Sequence, residues 1–120
     1  MDRFEVGVGA SEHGRRVLTV RGELDLATAD HLWAILEPLI TPGVLLVLDA
    51  AELTFLDSSG LRILLLAGTK ASACGATLRL AAPQPAVRRV LELTGVGGHL
   101  ETTPDVETAL ADRAGRPGDR

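Results

Sequence analysis

A carboxylate and two hydroxyls stand in a row at Asp57-Ser58-Ser59, and Gly60 separates them from a long apolar run that starts at Leu61. Short oxygen-bearing side chains ahead of such a run mark a helix start, where backbone N–H groups lack partners and carry partial positive charge. Two uses fit. The oxygens cap the helix, or one hydroxyl, that of Ser58, is presented at a positively polarised end and accepts a phosphate. On these residues alone both readings stay open, because Asp and Ser are the commonest residues at helix starts. A second acidic group, Asp25, closes Gly22-Glu23-Leu24-Asp25. It stands beside Asp57 if the strands that lead into the two motifs run parallel.

Other chemistries lack their residues. A hydrolase elbow needs glycine two places before the nucleophile, and Leu56 is there instead. Gly95-Val96-Gly97-Gly98 follows a helical pattern rather than a strand, and no phosphate-binding loop ending in Gly-Lys-Ser/Thr occurs, so nucleotide binding is unsupported. The sole lysine, Lys70, falls within the predicted second helix, which disfavours a phosphate-accepting receiver domain. Cys74 with His13, His31 and His99 gives no zinc-ligand spacing and no internal disulfide, so neither metal nor cofactor is expected. A net charge of -4 and 2% aromatic residues argue against direct nucleic-acid binding. No catalytic residues are expected, and the chain is not read as an enzyme.

The elements that must position Ser58 follow from periodicity. With 120 residues, 46% apolar and 23% charged, the chain suits one domain with its own core. Phe4, Val6 and Val8 alternate, and Val17 to Arg21 forms a second β-rich run, which together predict a hairpin. Thr28 is a plausible N-cap for a helix whose Leu32, Ile35, Leu36 and Leu39 form a buried stripe, with Trp33 at its edge and Pro42-Gly43 as its stop. Val44 to Leu48 is a continuous apolar run, expected of a central strand covered on both faces, with Asp49 satisfying nearby loop amides. Residues 50 to 56 then read as a connection to the second helix, which Gly75 ends. That helix is apolar nearly all round, so it is covered or presents a greasy patch near its first turn. A strand over Thr77 to Leu80, a helix over Pro83 to Thr94, an edge strand around His99 to Glu101 and a last helix with Pro104 at its first position complete the pattern.

The order ββαβαβαβα predicts an α/β fold: a mixed, mostly parallel sheet of four to five strands with an N-terminal hairpin and about four helices. The domain is expected over residues 1–112, with 113–120 as a flexible tail. The greasiest stretch, Ile63 to Ala67, is too short to span a membrane. The first residues lack a secretion signal, so a cytoplasmic setting is expected.

Three stretches in order, Gly22-Glu23-Leu24-Asp25, Phe55-Leu56-Asp57-Ser58-Ser59-Gly60-Leu61 and Val87 to Gly95, resemble the STAS domains of bacterial anti-sigma factor antagonists. The resemblance covers residues 4 to 110. It implies the STAS fold and a switch in which an anti-sigma factor serine kinase phosphorylates Ser58. The unmodified form binds that kinase and frees a sigma factor; the phosphorylated form lets it go. Ser58 matches the acceptor, Asp25 the acidic residue beside it, and Asp57, Ser59, Gly60 and Leu61 the frame; with Arg62 they form the expected partner-binding set. Gly60 is expected to admit a partner's backbone, and Leu61 to serve the contact or the core. Gly97-Gly98 departs from the family, which often has a bulkier residue there. Two other roles share the fold: a scaffold in a stress-signalling assembly, or the soluble STAS component of a membrane transport system. A homodimer through Trp33 and the apolar second helix also stays open.

Overall fold

Residues 3–95 and 100–111 are described by the computed structural model of the chain. The alternating start forms β1 (Glu5–Val8), which pairs antiparallel with the ten-residue β2 (Arg15–Leu24) as the expected hairpin. Helix α1 (Ala29–Leu36) buries Leu32 and Leu36 and half-buries Ile35, and a 3₁₀ turn over Glu37–Leu39 follows it. Trp33 lies half-buried against the core, at the edge of the stripe. Thr28 occupies the N-cap position, but its side chain makes no capping hydrogen bond. Asp25 ties down the turn that leads into the helix, its Oδ1 accepting from the N–H groups of Ala27 (3.0 Å) and Thr28 (3.2 Å).

The central strand is β3 (Leu45–Asp49), and Asp49 Oδ1 accepts from the Ala51 N–H at 3.1 Å, as a strand-end residue tying down its loop. Residues 50 to 56 are not merely a connection. They contain β4 (Leu53–Leu56), which pairs in parallel with the far end of β2 through a bulge between Gly22 and Glu23. Helix α2 (Ser58–Cys74) ends at Gly75, whose φ of 83° is the left-handed stop that glycine adopts at little cost. Then come β5 (Thr77–Ala81), α3 (Pro85–Thr94), β6 (Glu101–Thr103) and α4 (Val106–Ala111). Asp105, not Pro104, starts the last helix: its Oδ1 accepts from the Thr108 N–H at 2.7 Å, and hydrogen bonding from Thr108 holds its carboxyl below the usual carboxylate range. The predicted tail at 113–120, His99 and Gly97-Gly98 lie outside the described residues.

The sheet has six strands in the order β1-β2-β3-β5-β6, with β4 pairing β2. All pairs but the first hairpin are parallel, so the fold is the expected mixed α/β sheet with one strand more than expected. Strand β3 reads as an unbroken apolar run because both its faces are covered. Leu46 and Leu48 join the main core with Leu32, Leu36, Ile63 and Leu64 of α1 and α2. Leu45 and Val47 face the other way, against Ala109 of α4. On that second face Arg79 is 1% exposed, donating from Nε to Glu101 Oε1 (2.9 Å) and from Nη1 to the Ala109 carbonyl (2.7 Å). At the far end of α2, Lys70 Nζ is bonded to the carboxylate of Glu37 and, at 2.9 Å, to its carbonyl, which ties the helix to the 3₁₀ turn. Among the described residues, no helix is long and apolar enough to cross a membrane.

Candidate functional site

Parallel pairing brings the two motifs together. Leu24 and Leu56 are in register at the ends of β2 and β4, so Asp25 and Asp57 leave neighbouring strands side by side, strand spacing being about 5 Å. The Asp57 N–H donates to the Leu24 carbonyl at 3.2 Å, which stitches one motif to the other.

Asp57 has the extended backbone of an N-cap, and its Oδ1 accepts from the N–H groups of Ser59 (2.8 Å) and Gly60 (3.1 Å). Capping is therefore the role of the carboxylate. Ser58, the first residue of α2, is exposed, and no hydrogen bond to its side chain is found among the described residues. Ser59 is half-buried. The helix-end amides that a phosphate would use are thus already engaged by Asp57, which alters the expectation that the helix start itself would hold an added phosphate.

Gly60 is buried, and the backbone it lets approach is that of its own chain. A Cβ there would lie 2.6 Å from the Leu24 carbonyl oxygen and 2.7 Å from Leu56 Cδ1. Glycine at this position is what allows α2 to start directly over the paired ends of β2 and β4. Leu61 is half-buried and packs against the main core, whereas Arg62 is exposed. Asp25 is fixed by its own turn: Thr28 Oγ1 donates to the Glu23 carbonyl at 2.8 Å and accepts from the Asp25 N–H at 2.9 Å.

Two apolar side chains at this end of the sheet were not singled out from the sequence. Leu26, next to Asp25, is 80% exposed, and Phe55, three residues before Ser58, is 46% exposed. A signal for Phe55 existed, since in a strand adjacent apolar residues such as Phe55 and Leu56 point to opposite faces. The remainder of α2 is mostly covered: Ile63, Leu64, Ala67 and Ala71 are buried, and Leu66 is the most exposed of its large apolar residues. His31 is on α1 with its ring packed edge-on against Phe4, centroids 5.9 Å apart, rather than paired with a serine. Among the described residues, no group of three or more His, Cys, Asp or Glu side chains is placed to hold a metal ion.

Comparison with known proteins adds to this geometry. A family model described as "Mlab, STAS domain" matches residues 8–102. An anti-sigma factor antagonist from Mycobacterium paratuberculosis is 30% identical, with a TM-score of 0.77 over 91% of this chain and 92% of that one. The anti-sigma factor antagonist SpoIIAA of Bacillus, in its unphosphorylated form, is 26% identical, with a TM-score of 0.73 over 92% of this chain and 96% of that one. The murine anion transporter Slc26a9 shares the fold alone, at 13% identity and a TM-score of 0.76 over 97% of this chain and 23% of that one. No curated protein matches the chain.

Proposed function

The chain belongs to the STAS domain family of anti-sigma factor antagonists, and from that premise we propose that it is a phosphorylation-controlled member whose acceptor is Ser58. In its unmodified form it binds an anti-sigma factor serine kinase and so frees a sigma factor. The partner supplies ATP and the catalytic groups; this chain supplies the hydroxyl.

The observation that carries the reading is the exposure of Ser58 at the first position of a helix whose cap is already provided by its neighbour. An exposed hydroxyl that no structural bond needs is free to be modified. Asp25, Asp57 and Arg62 supply charge around it, and Leu26 and Phe55 supply apolar area for a docked protein, because exposed apolar groups rimmed by polar ones suit protein contacts. Ser59 and Gly60 take no direct part in contact on this reading; they hold the acceptor in place. Phosphate adds about -1.5 to -2 charge beside two carboxylates, and a change of about 1.4 kcal/mol at an interface is tenfold in affinity.

Incubation with its cognate anti-sigma kinase and ATP is expected to add one phosphate, located by peptide mass spectrometry at Ser58. Ser58→Ala should abolish the addition while Ser59→Ala retains it. A mass shift that survives in Ser58→Ala, or none in the wild type with an active kinase, sinks the reading. The transporter-component alternative rests on shared fold, and the exposed acceptor favours the antagonist role over it.

A further inference from the structure

Accepting Ser58 as the acceptor, we propose that the attached phosphate pairs with Arg62 one helical turn on, so that phosphorylation both adds negative charge and withdraws a cation from the partner-facing surface. Three observations lead there. The amides a phosphate would ordinarily take at a helix start are engaged: Ser59 N–H and Gly60 N–H donate to Asp57 Oδ1, and Leu61 N–H donates to the Asp57 carbonyl at 2.9 Å. The nearest acidic groups, Asp25 and Asp57, repel a phosphate, which therefore turns away from the strand ends and along the helix.

Along the helix stands Arg62. Ser58 and Arg62 are both exposed and four residues apart on α2, a spacing that places side chains side by side, about 5–6 Å between Cβ atoms. Among the described residues, Arg62 makes no ion pair or hydrogen bond through its side chain. Lys70, the other cation of α2, is held by Glu37. An unengaged guanidinium is suited to this task, because its planar fork matches two phosphate oxygens at once and an ammonium does not. In the unmodified protein the same fork is free to meet an acidic group of the partner.

The test needs no kinase. Protein carrying phosphoserine at position 58, introduced by genetic encoding, is titrated by ³¹P NMR in three forms: otherwise wild type, Arg62→Gln and Arg62→Lys. Asp25 and Asp57 raise the second phosphate ionisation equally in all three, so their effect cancels in the comparison. The otherwise wild-type protein is expected to titrate lower than Arg62→Gln by about 0.3 pH unit or more, with Arg62→Lys between them. Coincident curves for the wild type and Arg62→Gln overturn the pairing. Arg62 is exposed, so the variants keep the fold, and an amide NMR spectrum verifies it. Failure of the kinase to modify Ser58 would overturn the acceptor reading instead, a result separate from this titration.

Discussion

Gly60 shows how one residue decides where Ser58, the proposed acceptor, stands. The Asp-Ser-Ser-Gly stretch needs a short residue where α2 crosses the paired ends of β2 and β4, and the missing Cβ would sit 2.6 Å from a backbone oxygen that has no rotamer to escape into. Gly60→Ala should therefore cost about 2–3 kcal/mol, in the upper part of the range for overpacking, and shift Ser58 relative to Asp25. Chemical denaturation reads the first effect, and the Asp57 and Ser59 amide signals read the second. A variant within about 0.5 kcal/mol of wild type, an ordinary surface-substitution effect, would mean that the helix start has room to slide. From the sequence a glycine here speaks of close approach, but whose backbone approaches is a tertiary fact. The expectation of a partner's backbone gave way to Leu24 of the same chain.

At the scale of elements, the sequence was legible wherever a periodic pattern met an end signal. The hairpin, the central strand, α2 with Gly75 and α3 with Gly95 all follow that rule. Strand β4 does not: at four residues, with only Leu53 and Leu56 buried, it has no alternation, and it exists because β2 extends past its pairing with β3 and offers Gly22 to Leu24 a new partner. That unread strand is what places Asp57 next to Asp25, so the adjacency of the two motifs rested on a parallel order whose decisive strand was hidden. The cap of α1 was legible only in part for a related reason: Thr28 holds the N-cap position, but its side chain bonds no helix amide and serves instead the turn that Asp25 opens. Arg79 is the third case. Alternation in Thr77 to Leu80 assigns it to a face, yet that face is roofed by the short α4, which the strand's own residues do not announce. Arg79→Ala should cost about 2–4 kcal/mol, combining lost packing of a buried stem with an orphaned Ala109 carbonyl. Hydrogen exchange should then show α4 and β6 opening before α1 and α2. Uniform loss of protection across all four elements would instead make α4 part of one cooperative core.

Across the whole molecule, Ser58, the proposed acceptor, lies at the ends of β2 and β4, outside the core that α1, α2 and the sheet bury together. On the proposed reading, that separation lets modification act on binding while sparing the fold, and magnitudes decide the point. Two unit charges 4 Å apart repel by about 1 kcal/mol in water but by about 4 kcal/mol at the effective dielectric of 20 that suits a protein surface. With Ser58 exposed, the free protein stays nearer the first limit, further weakened by salt, whereas a docked partner excludes water and moves the same charges toward the second. Asp57 holds the Ser59 and Gly60 amides without use of the Ser58 hydroxyl, so the cap of α2 does not depend on the group proposed to be modified. Protein with phosphoserine at position 58 should accordingly melt within about 4 °C of the unmodified form, which corresponds to less than about 1 kcal/mol for a domain of this size. Its affinity for the anti-sigma partner should fall at least about tenfold, equivalent to 1.4 kcal/mol. Differential scanning calorimetry and titration calorimetry on the same two samples measure both quantities. A melting point lowered by more than about 10 °C would instead make the switch an unfolding of the α2 start, with loss of binding following from lost structure rather than from charge met at a dry contact.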